Sequence, residues 1–366
     1  MSNLNQLLSG LFLYLSVIIP FALYNKYSEL MVALKLFFFL LFFLISRKKL
    51  LLKYFIIGLF ILIMASISSL ISKYEFSITR FIIYLIIISV FSFRLEYFKN
   101  FFFFKRLYII SVFSLSVVSI LNPEIINFFY GWNSYDQQII FLEQKKYTSI
   151  FGLPATASLC YGLILFTLLN SQNLFKKKIL FILVPFFLFL LISLKSTSSI
   201  VTIFFLFSYY FFFSIKKVNL VSSILLVCLF IIFIILFYFF FGLENFYDQF
   251  KYTLVLSFVN RFYEDYFLYG FNFLDIYLGL GFVTSSITFG DVGYFDQLIR
   301  LGLLGSILYY FLYYNFLKRL FFNQSYFILI FYIFFLELGH NYSKSIIFLP
   351  IILIILFNPT NKYLNK

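Results

Sequence analysis

Long apolar segments recur along this chain, and short clusters of polar residues separate them. Splitting the chain at those clusters gives about twelve segments, most of them near the roughly 17–25 residues that a helix needs to cross a bilayer. We therefore predict an all-α polytopic integral membrane protein, with residues 1–366 in a single membrane domain. The predicted spans are approximately 7–24, 30–46, 51–72, 78–93, 107–122, 153–170, 179–195, 199–215, 218–241, 298–316, 325–338 and 345–357.

The composition excludes a soluble globular enzyme. Hydrophobic residues make up 63% of the chain and charged residues 11%, whereas soluble domains have about 45–50% and about 25%. The net charge of +14 could suggest a nucleic-acid partner, but the basic residues form small clusters between apolar segments. Basic clusters between apolar segments are typical of membrane proteins. We therefore predict that lipid surrounds the chain and that it has no nucleic-acid partner.

The charge distribution predicts the orientation in the membrane. When the spans alternate from a cytoplasmic N-terminus, 17 of the 28 Lys and Arg residues fall in short inner loops. Of the 14 acidic residues only Glu96 falls there. This agrees with the positive-inside rule, so both termini are predicted to be cytoplasmic.

Two predicted outer loops are long enough to carry function. The first covers about 123–150, and the second, about 242–297, lies between helices 9 and 10. Apolar residues at four-residue spacing predict an amphipathic interfacial helix within the second loop; these are Phe250, Leu254, Phe258 and Phe262.

The motifs of most soluble enzymes are missing from the sequence. It contains no glycine-rich phosphate loop, no HExxH, CxxC or GxSxG motif, and one histidine. We therefore predict neither a catalytic triad nor a zinc site, and no cofactor.

Charged residues at the predicted outer edge are the candidates for chemistry, because charge near the membrane interior is costly. Asp291 could act as a general base on a sugar hydroxyl; the structural alternative is an N-cap for the tenth span. Arg261 could bind a phosphate through two hydrogen bonds; the alternative is an ion pair with Glu264 or Asp265.

Other outer residues could also contact substrate. Asp296 and Arg300 are four residues apart and are expected first as a pair on a helix surface. His340 and Lys344 belong to the predicted turn between the last two spans, where a histidine is more often a polar anchor. Arg80 and Lys195 flank two further outer turns and could join Arg261 on a pyrophosphate, although snorkelling is the default explanation for such residues.

Several short motifs, in this order, resemble the O-antigen polymerase and O-antigen ligase superfamily. The motifs are YTSIFGLP (147–154), the serine-rich SLKSTS (193–198), the Leu278-Gly279-Leu280-Gly281 turn, and Asp291 eleven residues before Gly302-Leu303-Leu304-Gly305. The family often has arginine where Lys195 stands. Ligases have histidine at the position of Asp291, whereas an aspartate is similar to polymerases, including the related SEDS-type peptidoglycan polymerases.

The resemblance implies a Wzy-type polymerase in the bacterial plasma membrane. It would join undecaprenyl pyrophosphate-linked oligosaccharide repeat units into O-antigen or capsular polysaccharide at the outer face, with a chain-length regulator as a possible partner. Asp291 would deprotonate the attacking hydroxyl, while Arg261 and a second cation such as Arg300 would neutralise the leaving group.

Two alternatives stay open. One is a ligase that attaches finished glycan to the lipid A core, and the other is a lipid-linked oligosaccharide flippase or another transporter. A transporter is expected to have short loops on both sides and cations that line the membrane interior, unlike the long outer loop predicted here.

Overall fold

Helices make up nearly all of the chain that the computed structural model describes. The described residues are 3–19, 28–46, 48–72, 75–95, 100–123, 147, 149–151, 154–170, 174–214, 273–283, 293–320, 326–337 and 348–357. Within them the helices are α1 Asn3–Ile18, α2 Ser28–Ile45, α3 Leu52–Ile71, α4 Ile78–Ser92, α5 Phe101–Leu121, α6 Pro154–Asn170, α7 Lys177–Ser193, α8 Thr197–Ser214, α9 Phe273–Leu278, α10 Gly293–Leu320, α11 Tyr326–Leu336 and α12 Phe348–Leu356.

These helices agree with the apolar segments of the sequence. Every described helix except α9 overlaps a predicted span, and the predicted span 218–241 lies outside the described residues. Within the described part of the chain, α3 and α5 are long and apolar enough to cross a membrane. Shorter apolar stretches occur in α1, α2, α4, α6 and α8. The prediction of a helical chain is confirmed, and α3 and α5 give limited support to a membrane location.

The surface of the bundle is strongly apolar, as expected for a protein with lipid as its solvent. The side chains of Leu70 and Phe181 are each 82% exposed, and Leu121 is 79% exposed. Soluble proteins rarely expose large contiguous apolar areas. The outward-facing Leu, Ile and Phe side chains therefore favour surroundings of hydrocarbon.

A two-stranded ladder departs from the all-α prediction. Strand β1 (Lys48–Leu50) pairs antiparallel with β2 (Phe93–Leu95), and Lys49 lies opposite Arg94. Because β1 leads into α3 and β2 directly follows α4, the ladder closes one end of this helical hairpin. The Leu51 N–H extends the pairing by donating to the Ser92 carbonyl at 3.0 Å.

The other end of the same hairpin contacts the residues that follow α9. Helix α4 begins after Ser77, whose hydroxyl accepts a hydrogen bond from the Arg80 N–H as an N-cap. The Ser77 N–H donates to the Phe282 carbonyl at 2.6 Å. Helices α3, α4 and α10 pack against one another, and α11 contacts α10, α8 and α6. The predicted outer turn between α3 and α4 therefore meets the predicted second outer loop.

Candidate functional site

Helix α10 is broken in its interior at Gly302. The residue has φ 69° and ψ 177°, which is a conformation essentially restricted to glycine. A non-helical residue interrupts the backbone hydrogen bonds of the preceding turn. The carbonyls of Ile299 and Arg300 instead accept hydrogen bonds from the N–H groups of Leu280 and Gly281, at 2.6 and 2.8 Å. The break therefore joins α10 to the residues after α9.

We call residues 278–283 the extended segment; it lies between α10 and the α3–α4 hairpin. Gly279 and Gly281 have φ of 76° and 73°. A Cβ atom at Gly279 would overlap the Arg300 carbonyl and the Gly302 nitrogen, and a Cβ atom at Gly302 would overlap the Tyr277 carbonyl. Only glycines allow the two backbones to approach this closely.

Two serines of α3 hold the extended segment from the other side. The Ser68 hydroxyl donates to the Leu278 carbonyl at 2.8 Å, and the Ser69 hydroxyl accepts from the Phe282 N–H at 2.6 Å. Phe76, before α4, forms an antiparallel bridge with Val283. The backbone groups of the extended segment thus bond to α3, to the α3–α4 turn and to the broken helix.

A charged cluster lies beside this junction. Arg300 donates through Nε to the Asp296 carboxylate at 2.8 Å, and both residues are buried. The pair has the predicted four-residue spacing, but it is inside the bundle and not on a helix surface. Arg80 of α4 donates to the Val283 carbonyl and interacts electrostatically with both members of the pair. Two guanidinium groups and one carboxylate leave the described cluster with an excess of positive charge.

Gln297 adds a polar group that the sequence did not single out. Its side chain is fully buried, and Oε1 accepts a hydrogen bond from the Tyr84 hydroxyl at 2.7 Å. The Gln297 Nε2 atom has no hydrogen-bond partner among the described residues. A buried donor without an acceptor costs about 1–3 kcal/mol of stability, so this unpaired group calls for a specific explanation.

Tyr84 brings the members of the cluster together. Its ring packs against Phe282 and Tyr309, with centroids 5.2 and 5.9 Å apart, while its hydroxyl reaches Gln297. Tyr84 also lies near Asp296 and near both arginines of the cluster. Its position depends on tertiary packing, and 30 tyrosines in the sequence gave no signal to select this one.

Glu337, at the end of α11, is a second residue that the sequence analysis missed. It is fully buried and lies near Tyr294 and Tyr313, one on each side of the break in α10. The Tyr294 hydroxyl donates to the Phe334 carbonyl at 2.7 Å and so connects α10 to α11. The available signal was an acidic residue at the end of an otherwise apolar span.

A second polar cluster surrounds Tyr161 of α6. Its hydroxyl accepts from Ser149 at 3.1 Å and lies 3.4 Å from the Tyr147 hydroxyl. The Tyr147 N–H donates to the Ser193 carbonyl at 3.0 Å. The described residues of the YTSIFGLP motif therefore pack against the serine-rich turn between α7 and α8.

The structure brings three of the predicted site residues together, namely Arg80, Asp296 and Arg300. Lys195 lies in the turn beside the second cluster and has a left-handed backbone, with φ 45°. The other four candidates lie outside the described residues: Asp291, Arg261, His340 and Lys344.

The charged cluster has the chemistry of an anion site. Guanidinium groups and a side-chain amide are hydrogen-bond donors that match phosphate or carboxylate oxygens. No group of three or more His, Cys, Asp or Glu residues suited to a metal ion occurs within the described ranges. No protein-family model, curated protein or solved structure matches the chain.

Proposed function

We propose that this chain is a membrane polysaccharide polymerase that joins lipid-linked oligosaccharide repeat units at the outer face of the bacterial plasma membrane. One observation carries the proposal: the buried Asp296–Arg300 pair and Arg80 meet beside the break in α10. Charges inside an apolar bundle are costly, and they are a signature of substrate sites in membrane proteins. Their net positive charge suits a pyrophosphate leaving group.

The loop contacts agree with the predicted division of the loops between two ends of the bundle. The α3–α4 turn, the extended segment and the start of α10 meet one another, and all are predicted to be outer. The β1–β2 ladder and the contact of Arg319 with the Phe91 carbonyl join elements predicted to be inner. A site at the outer end requires an activated lipid-linked donor, because sugar nucleotides and ATP are absent outside the plasma membrane.

The proposed reaction is a direct displacement at the anomeric carbon of the growing glycan. Asp291 accepts the proton of the attacking hydroxyl on the fresh repeat unit. The new bond forms between that hydroxyl oxygen and the anomeric carbon, while the bond from the carbon to the pyrophosphate oxygen breaks. The lipid pyrophosphate leaves with the electron pair, and Arg261, Arg300 and Arg80 stabilise its charge.

The first experiment is a gel of surface polysaccharide from a strain that lacks this gene. A single core-plus-one-unit band, with the ladder restored by the wild-type gene, would support the polymerase. Bare core with long lipid-linked chains at the outer face would indicate the ligase, and bare core with single units trapped inside would indicate the flippase. An unchanged ladder would exclude all three.

The mechanism is tested separately by Asp291→Asn and Arg261→Ala. Each variant should abolish the ladder at normal protein levels. Glu96→Gln and Arg106→Ala are matched charge-removing controls at positions predicted to lie on the inner side, away from the proposed site, and they should leave the ladder unchanged. Normal chain lengths in both site variants would contradict the assigned roles.

A further inference from the structure

We infer that the Gln297 side-chain amide is a ligand-binding donor that contacts an oxygen atom of a phosphate group. The amide lies in a fully buried position on the outer half of α10, before the break at Gly302. The Tyr84 hydroxyl donates a hydrogen bond to Oε1 at 2.7 Å, so the oxygen end of the amide has a partner within the protein. The Nε2 end has no acceptor among the described residues.

A similar pair at the far end of α10 provides an internal comparison. Tyr54 of α3 donates to Asn315 Oδ1 at 3.1 Å, just as Tyr84 of α4 donates to Gln297. Asn315 uses its second amide atom as well, because Nδ2 donates to the Phe311 carbonyl at 2.7 Å. Both polar atoms of the Asn315 amide therefore have a partner within the protein, whereas Gln297 Nε2, which carries two N–H donors, has none among the described residues.

The neighbouring charges indicate the class of ligand. Tyr84, the hydrogen-bond partner of Gln297, lies near Arg80, Arg300 and Asp296, and these three residues carry two positive charges and one negative charge. Donors of this kind match an anion that carries only acceptor oxygens, such as a phosphate or a pyrophosphate. The inference rests on the proposed function only for the source of that phosphate, which would be the polyprenyl carrier.

Stability and binding should respond differently when Gln297 is replaced by leucine. Leucine removes the unpaired Nε2 group, which favours the folded state, but it also leaves the buried Tyr84 hydroxyl without its acceptor. Because these two effects oppose each other, we expect purified, full-length Gln297→Leu to unfold at the wild-type temperature or slightly below it in the absence of ligand. Its affinity for phosphate ligand should be weaker by about tenfold or more, because a hydrogen bond to a charged group is lost.

The experiment measures the unfolding temperature of the full chain in dodecyl maltoside micelles, which contain no phosphate. Three probes are added separately: undecaprenyl pyrophosphate, phosphatidylglycerol and inorganic pyrophosphate. If only undecaprenyl pyrophosphate stabilises the wild type, the lipid carrier is the source of the phosphate. Stabilisation by phosphatidylglycerol indicates a lipid headgroup, and stabilisation by inorganic pyrophosphate indicates a free anion. In each case the stabilisation must be smaller in Gln297→Leu.

Tyr84→Phe and Asn315→Leu complete the design. Tyr84→Phe keeps the aromatic ring but removes the hydroxyl that holds the Gln297 amide in place, so it should also weaken binding. Asn315→Leu removes the satisfied amide and should leave binding unchanged. The inference is overturned if no probe stabilises the wild type, or if Gln297→Leu binds as tightly as the wild type. A normal ladder in the deletion strain would instead overturn the polymerase proposal and leave the phosphate contact standing.

Discussion

The N–H group of Gly281 donates a hydrogen bond to the carbonyl of Arg300 at 2.8 Å. The side chain of the same arginine binds Asp296, so one residue connects the backbone junction to the charged cluster. The conformation of the extended segment and the placement of the cluster are therefore physically coupled. Changes in the glycines or serines of this junction should affect the charged residues as well.

Gly302→Ala should destabilise the protein by about 1–3 kcal/mol or more. Alanine is strained at this backbone conformation, and its Cβ atom would also overlap the Tyr277 carbonyl. The measurement is the unfolding temperature in detergent, together with the polysaccharide ladder. Both should be reduced.

Gly305→Ala is the control for this change in the same helix. Its Cβ atom would meet only the Leu301 Cβ, at 3.0 Å, and alanine has the higher helix propensity. A small change in stability is expected. If Gly302→Ala and Gly305→Ala behave alike, the break in α10 does not require glycine.

Arg300→Gln should cost about 3–5 kcal/mol, because it removes the guanidinium from a buried carboxylate. The double variant Asp296→Asn, Arg300→Gln replaces the ion pair by two neutral amides and should recover most of that stability. It should still fail to polymerise, since the leaving group has lost a cation. The unfolding temperature reports the effect on stability, and the polysaccharide ladder reports the effect on polymerisation. A double variant no more stable than Arg300→Gln would contradict this account.

Ser69→Ala should loosen the extended segment. The Ser69 hydroxyl accepts from the Phe282 N–H at 2.6 Å, and leaving this buried N–H without an acceptor costs about 1–3 kcal/mol. Hydrogen exchange at the Phe282 amide should become faster.

Ser66→Ala is the matched control for Ser69→Ala. Its hydroxyl donates to the Leu62 carbonyl within the same helix, so exchange at Phe282 should not change. Equal exchange rates in Ser69→Ala and wild type would show that α3 does not hold the segment.

Cysteine labelling tests the orientation of the bundle. In a background without Cys160 and Cys228, Lys195→Cys should react with a membrane-impermeant maleimide added to intact cells. Lys49→Cys, on the opposite side of the predicted bundle, should react only after permeabilisation. The reverse pattern would place the charged cluster on the cytoplasmic side and exclude extracellular polymerisation.

Most helices of this protein could be predicted because each coincides with a run of apolar residues between polar clusters. The helix that covers 52–71 agrees with its prediction within one residue at each end. The β1–β2 ladder was not predicted, since three-residue strands leave no periodic signal. Local sequence rules therefore predicted helices α3 and α4 but missed the ladder at the end of their hairpin.

The candidate site was only partly accessible from the sequence. The spacing of Asp296 and Arg300 predicted their pairing, because residues four apart share a helix face. Their burial and the roles of Tyr84 and Gln297 depend on which helices pack together. The break at Gly302 was also missed, since a glycine within a helical pattern does not reveal its backbone conformation.

The extended segment has a consequence for the order in which this protein matures. Its partner Ser68 precedes Leu278 by 210 residues, while Arg300 follows it. During synthesis the α3–α4 hairpin emerges long before the extended segment that contacts its serines and the broken helix that completes the junction. Assembly of the charged cluster is thus a late event in biogenesis, and a nascent chain that stops before Arg300 contains the hairpin without the Asp296–Arg300 pair.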